Sequence, residues 1–386
     1  MPNQRQVKPI LEIFWRFFLL GCASFGGPAA HLGYFRRVFV EQLQWLEEKA
    51  YARLIALGQF LPGPGSSQVG FAIGCHRGGL TGGIAAFIGF TAPSFFLMYF
   101  LAVGSSGMHD EKWFVGIVHG LKLLAVVVVT DATTTMFKSF CKSSLHRTIF
   151  VATVIALILA KSVVTQFAAL GIAAVIGMLN SRQDETEEQP EGKTGLVPLL
   201  LFAGLFIVLP FLSKQSPGFG LFADFYHSGS LVFGGGHVVL PLLQSQLGDA
   251  IEPDRFLTGY AAAQGVPGPM FALATFLGVE LSPDARFAGA LIATLGIFVP
   301  GFLLVLGLRG TWEKLAAKPR LAGAVAGINA AVVGLLGAAA YDPVLMGAYR
   351  LPIDLVPVLL GFIALKFLKM PIIALVVAFV LVGSFL

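Results

Sequence analysis

Gly21–Leu32 reads GCASFGGPAAHL and Gly229–Leu240 reads GSLVFGGGHVVL, the same frame of Gly, Phe-Gly-Gly and Leu displaced by 208 residues. Three further anchors follow in the same order. QFLPGP at Gln59–Pro64 pairs with QGVPGP at Gln264–Pro269, at offset 205. GFTAPSF at Gly89–Phe95 pairs with GIFVPGF at Gly296–Phe302, and Gly120 pairs with Gly327, both at offset 207. Four ordered anchors with so little drift mark a duplication, the first thing to seek in an unknown sequence. The chain divides into a first repeat over 1–180, a linker over 181–195, an unpaired apolar segment over 196–217 and a second repeat over 218–386. The linker, SRQDETEEQPEGKTG, carries five acids and no apolar period, as a solvated connector does.

Composition says what kind of chain was duplicated. Of its 386 residues only 12% are charged, against about 25% in soluble proteins. The apolar class reaches 56%, with 46 glycines on top. A soluble enzyme, a disordered chain and a nucleic-acid-binding protein are excluded, and a polytopic membrane protein is expected. The net charge of +5 then reads as the Lys/Arg excess of cytoplasmic loops rather than as a sign of an acidic partner. Cys22, Cys75 and Cys141 have no metal spacing and form no disulfide framework, so all three are expected as buried thiols. Leu19-Leu20-Gly21-Cys22 looks like a lipoprotein cleavage site, but Glu12 and Arg16 interrupt the preceding run and the repeat needs this segment as structure.

Long apolar segments lie near 79–103, 113–137, 147–160 and 163–180, with counterparts near 286–308, 321–341, 354–368 and 371–386. Several can cross about 30 Å of hydrocarbon as helices. The Gly/Pro-rich regions, 10–77 and 218–280, break into short pieces that suit discontinuous or re-entrant helices better than simple spans. Loop charge sets orientation. The loop after 103 holds only Lys112, and the one after 137 holds Lys138, Lys142 and Arg147. The second repeat reverses this, with Arg309, Lys314, Lys318 and Arg320 in its first loop and only Arg350 in its next. Equivalent loops therefore prefer opposite sides, and 196–217 supplies the crossing that flips the second half. The expected fold is an all-α integral membrane protein of two inverted-topology repeats, with broken or re-entrant Gly/Pro helices at the membrane midplane.

Hydrocarbon gives free backbone groups no partner, so irregular backbone at that depth is buried in protein or lines a wet cavity. FGGP and PGP are such irregular points. Gly26, Gly27 and Gly63 permit unusual dihedrals, and Pro28, Pro64 and Pro269 suit the starts of helices. Helix N-termini attract anions, and Ser66, Ser67 and Gln68 add donors beside one of them. Gln59 and Gln264 precede the two Pro-Gly-Pro turns, and Gly268 and Pro269 complete the second. Gly234, Gly235 and Gly236 mirror the first Gly pair, and His237 follows them. Where the first repeat has serines the second has Met270, Phe271 and Ala272, which puts the polar contacts mainly on the first. Glycines such as those in Gly78-Gly79 and Gly82-Gly83 read instead as helix packing.

Lys122 and Asp131 sit inside an apolar run, nine residues apart and hence on opposite helix faces. Lys122, aligned with Asn329, fits either an anion ligand or one half of an ion pair, and Asp131 fits a structural role. No HExxH, GxSxG or Walker sequence is present, and the histidines lack metal spacing. No enzyme activity, cofactor or metal is expected.

These motifs resemble the chromate ion transporter family in its two-domain form. The matching stretches are SFGGPAAHLGYFRRVFVEQLQWL (24–46), ALGQFLPGPGSSQVG (56–70), FYHSGSLVFGGGHVVLP (225–241) and YAAAQGVPGPMFALATFLG (260–278). The resemblance implies an inner-membrane secondary transporter that exports chromate under the membrane potential or proton gradient and confers chromate resistance. It implies chromate as substrate, sulfate as a competing tetrahedral dianion, the lipid bilayer as surroundings and a second copy of the chain as a homodimer partner. A passive anion channel, a carrier working in the other direction, a membrane-embedded enzyme and a non-transporting scaffold are the competing readings.

Overall fold

A computed structural model describes residues 4–105, 111–160, 162–181, 194–233 and 236–385. Among them every regular element is helical. The first repeat contributes α1 (Gln4–Ala23), α2 (Gly27–Phe35), α3 (Glu48–Phe60), α4 (Gly65–Ser105), α5 (Lys112–Phe140), α6 (Ser144–Leu159) and α7 (Val163–Leu179). After α8 (Leu196–Leu212) come α9 (Pro217–Leu231), α10 (Val239–Leu247), α11 (Pro253–Gly265), α12 (Leu273–Glu280) and α13 (Arg286–Leu308). The chain closes with α14 (Trp312–Ala316), α15 (Pro319–Ala339), α16 (Met346–Ala348), α17 (Leu355–Lys366) and α18 (Ile372–Phe385). Ser143, Ser162 and Ser216 cap α6, α7 and α9 through hydroxyls that accept first-turn N–H groups.

The linker residues 182–193 lie outside the described set, as do Gly234 and Gly235. The apolar segments read from sequence fall on helices throughout. Four of these are long and apolar enough to cross a membrane: Gly65–Ser105, Trp113–Phe140, Pro283–Leu308 and Pro319–Ala348. Large apolar side chains point outward on these and on shorter helices, including Phe100 of α4, Leu159 of α6, Ile207 of α8 and Leu359 of α17. A stripe this wide has no water-compatible partner and marks a multi-pass membrane protein. Cys22 departs from expectation. It is exposed on α1, while Cys75 and Cys141 are buried as free thiols.

The helices form two compact units, the first made of Met1–Gly107, Gly195–Gly236 and Ala262–Arg309. Here glycine decides how closely helices approach. Gly21 of α1 lies against the backbone of Gly89 and Phe90 in α4, and its counterpart Gly229 of α9 lies against Ile297 in α13. Gly89 meets Phe14, and Gly296 meets Phe222 and Phe225. A methyl group at any of these positions would collide with its neighbour, so the repeat's glycines serve packing. α4 is broken at Gly78 and Gly79, where φ is −141° and +64°. It folds back there, bringing Gly74 onto Gly82 and Ala86. α12 and α13 repeat that hairpin through Gly278, Gly289 and Ala293. α8 leans on this unit through Tyr226 Oη, which donates to the Phe202 carbonyl at 3.0 Å. Phe17, Phe35, Phe39 and Phe90 stack edge and face inside it.

The second unit is Met108–Thr194, His237–Ala261 and Gly310–Leu386. Its two long helices exchange partners between repeats. α5, from the first repeat, packs against α17 and α18 of the second, and α15 of the second packs against α6 and α7 of the first. Gly116 and Gly120 meet Gly383 and Phe379, and correspondingly Gly323 and Gly327 meet Gly177 and Ala173. Numbers rise on one helix as they fall on the other, so both pairs run antiparallel. Each repeat thus completes the other's long helix.

Candidate functional site

The FGG and PGP motifs interlock within the first unit, each repeat holding the other. The Gly63 N–H donates to the Val232 carbonyl at 2.7 Å, and the Gly268 N–H donates to the Ser24 carbonyl at 2.9 Å. Gly63 corresponds to Gly268, and Ser24 to Val232, so the exchange is reciprocal. Both glycines have positive φ, +123° and +94°. A Cβ on Gly63 would meet Gln68 and Gly301, and one on Gly268 would meet Ser94 and the Phe90 carbonyl. Ser94 and Gly301 are again equivalent positions. Only glycine satisfies the dihedral and the close approach together.

Two helices begin here. α2 starts at Gly27 behind Gly26 in the left-handed region, with Pro28 in its first turn. α4 starts at Gly65, one residue after Pro64, whose carbonyl accepts the Gln68 N–H at 2.9 Å. Pro64 therefore caps its helix rather than forming its first residue. Pro269 does the same for the single turn Met270–Ala272 that leads into α12. Ser66, Ser67 and Gln68 are buried in the first turn of α4. The Gln68 amide donates to the carbonyls of Pro62 (2.8 Å) and Gly301 (3.2 Å), locking the turn to the second repeat.

Several buried polar atoms of this unit have no partner among the described residues. They are Ser24 Oγ, His31 Nε2, Ser67 Oγ, Gln68 Oε1, Thr91 Oγ1 and Gln264 Nε2. Such groups normally find partners, because an unmade hydrogen bond in a buried setting costs about 1–3 kcal/mol each. The contacts already described string them together. His31 Nδ1 is 3.2 Å from Ser66 Oγ, and its ring lies 5.2 Å from that of Phe90, the neighbour of Thr91. Ser24 holds Gly268, four residues after Gln264. Three hydroxyls, an amide and an imidazole are thus held in the same unit as the starts of α2 and α4, with no fixed cation among them. That chemistry suits a ligand with several acceptor oxygens.

The site residues expected from sequence divide. Gly26, Gly27, Pro28, Gly63, Pro64, Ser66, Ser67, Gln68, Gly236, Gln264, Gly268 and Pro269 all belong to the first unit. Gln59 belongs to it too but is exposed, whereas Gln264 is buried. Lys122 and His237 belong to the second unit. Lys122, 1% exposed, gives its ammonium to Asp254 of α11, and His237 Nδ1 lies 3.0 Å from Tyr260 Oη. Asp131 accepts from Lys366 at 2.5 Å. Ser24, His31 and Thr91 are additions that sequence reading missed. A signal for them was present. Their counterparts in the second repeat are Val232, Val239 and Phe298, just as Ser66, Ser67 and Gln68 face Phe271, Ala272 and Leu273. Polar in one copy and apolar in the other is common to all of these, and Gln264, whose counterpart Gln59 is also polar, is the exception.

Comparison with known proteins follows the same outline. A family model described as "Chromate transporter" matches residues 11–178 and 219–384. A chromate transport protein of Pseudomonas aeruginosa is 28% identical over 88% of this chain and 82% of its own. A probable chromate transport protein of Synechococcus elongatus is 27% identical, over 90% and 87%. An uncharacterized transporter of Methanocaldococcus jannaschii is 27% identical, over 86% and 84%. No solved structure matches the chain.

Proposed function

The chain belongs to the chromate transporter family, and on that premise we propose that it is a secondary transporter exporting chromate across the cytoplasmic membrane. The substrate class is a tetrahedral dianion, so sulfate competes for the same site. The observation that carries this reading is the set of unpartnered buried donors around the interlocked FGG and PGP motifs. Ser24, Ser67, Thr91, Gln264 and His31 supply hydrogen bonds, and the first turns of α2 and α4 supply positive helix ends. Gly26, Gly27, Pro28, Gly63, Pro64, Gly268 and Pro269 shape the backbone that aims them. Lys122, neutralised by Asp254, holds α11 to α5 rather than binding the anion.

A site without a fixed cation has an energetic consequence. The anion crosses with its charge uncompensated, so an inside-negative potential of about 100 mV drives a dianion outward with about 4.6 kcal/mol, a gradient of roughly 2,000-fold. Export, and with it chromate resistance, then needs no coupling ion. Inverted repeats give the site its two accesses. α3 and the first arm of α4, 13 residues each, reach about 20 Å, short of the roughly 30 Å of hydrocarbon. With Gly58 seated on Gly65 they form a re-entrant hairpin whose tip is the PGP turn. The reciprocal bonds of Gly63 and Gly268 fit a two-fold axis. The reversed loop charges support an axis in the membrane plane, the arrangement from which rocking gives alternating access.

The test is uptake into everted vesicles, with chromate and sulfate in competition. Sulfate should suppress chromate uptake, and Ser67→Ala should lower it about tenfold, the loss expected for one hydrogen bond to a charged ligand. Lys122→Gln should leave the affinity for either anion unchanged. Uptake indifferent to sulfate and to Ser67→Ala would refute the assignment.

A further inference from the structure

α17 lies along α5 between two charge pairs. His119 Nε2 is 3.0 Å from Asp354 Oδ1 at the start of α17, and Asp131 accepts from Lys366 near its end. Both pairs join positions 235 apart, so the two helices run parallel and in register. The second repeat supplies an internal control for what such packing requires. α6 takes the equivalent place on α15, with Gly334 against Thr153 and Gly337 against Phe150. The residues there equivalent to His119, Asp131, Asp354 and Lys366 are Ala326, Ala338, Arg147 and Leu159. Arg147 turns away to the Cys141 and Lys142 carbonyls. A helix pair of this geometry therefore packs without such charge pairs, and the buried His119–Asp354 pair, 5% and 3% exposed, needs another reason.

The hydrogen bonds around Asp354 indicate one. Its Oδ2 accepts the N–H groups of Arg350 and Leu351, each at 2.8 Å, and its Oδ1 faces His119. A carboxylate so supplied is an acceptor on both oxygens, which makes His119 the donor through Nε2. The lone pair on His119 Nδ1 is then buried with no partner among the described residues, a vacant proton-accepting position beside a fixed negative charge. The other groups on the elements packed against α5 leave it so. Lys122, one turn along, is held by Asp254, and Lys366 by Asp131. α18 carries no titratable side chain, α15 brings Arg320 and Asn329, and the stretch before α17 brings Tyr341, Asp342, Tyr349 and Arg350.

We propose that His119 is a proton-binding site of the carrier, taking a proton from water on Nδ1 and returning it within each transport cycle. The proposal rests on the transport reading above. Protonation turns a hydrogen bond to Asp354 into an ion pair and tightens α17 on α5. Deprotonation loosens it. Histidine is the side chain suited to such a change near neutral pH.

Two measurements decide it. The first is sulfate flux into liposomes at a clamped membrane potential, across mildly acidic to mildly alkaline pH. Wild type should change severalfold over that range, His119→Gln should be flat, and Asp131→Asn, which opens the other pair, should keep the wild-type profile. The second is the ¹⁵N spectrum of the wild-type imidazoles, with His119 assigned by its loss in the Gln variant. Its Nδ1 should gain a proton on acidification. An Nδ1 that does not titrate there, or a pH profile unchanged in His119→Gln, overturns the proposal. Wild-type liposomes that move no sulfate at all would instead refute the transport reading, and the spectrum would still judge the proton site.

Discussion

Gly63 and Gly268 do the same work in the two repeats, each at positive φ and each donating its N–H to the residue ahead of the other repeat's FGG motif. Alanine at either position costs about 1–2 kcal/mol for the left-handed backbone alone, before the collision with Gln68 or Ser94 is counted. Gly63→Ala and Gly268→Ala should each lower the unfolding midpoint of the purified protein by several degrees, and by similar amounts because the two contacts are equivalent. A variant with unchanged thermal stability would contradict the interlock. The proposed ligands Ser24 and Thr91 should behave differently because they are not repeated. Ser24→Ala and Thr91→Ala should weaken anion binding without loss of stability, since each removes a buried hydroxyl that has no protein partner. Equilibrium binding of labelled sulfate together with a melting curve separates the two effects. These residues were hard to read from the sequence for a physical reason. Repetition exposes what the duplicated scaffold needs, and these two proposed ligands sit where the copies differ, Ser24 against Val232 and Thr91 against Phe298.

At the scale of helices, spacing by glycine is the recurrent device. Gly120 against Phe379 and Gly327 against Ala173 bring backbones into contact, the arrangement by which helices associate in lipid without a hydrophobic drive. Gly120→Leu and Gly327→Leu should each destabilise by about 1–3 kcal/mol, the range for forcing extra volume into a packed contact, and a neutral result in a melting assay would contradict the placement of α18 or α7. Helix positions were legible because apolar runs and Gly/Pro breaks are local properties of the chain. The break of α4 at Gly78 and Gly79 was not, since Gly-Gly pairs suit close packing equally well and only the return of Gly74 onto Gly82 settles the matter. Lys122 illustrates the same limit. Its depth in an apolar run signalled a partner, but Asp254, 132 residues away, is brought to it only by the fold.

In the whole molecule, duplication with exchange replaces the simple picture of two halves side by side. The second unit assembles α5 with α17 and α18, and α15 with α6 and α7, so neither repeat completes its own bundle. A split protein expressed as separate repeats should fold only when both are present together, measured by recovery of the pair from membranes. Stable folding of one repeat alone would contradict the exchange. Orientation has its own check. In a background lacking the native cysteines, single cysteines at Glu111 and Ala317, in equivalent loops, should label from opposite faces of the membrane. Labelling from the same face would exclude inversion.

The claim on which the rest depends is that the chain carries a tetrahedral dianion without a fixed counter-charge. Purified protein in liposomes, with an imposed potential and labelled sulfate or chromate on one side, tests it most directly. Flux should saturate with anion concentration, each anion should inhibit the other, and the direction should reverse when the sign of the potential is reversed. No movement of either anion under any imposed gradient, or a current that rises with concentration without limit, would contradict it.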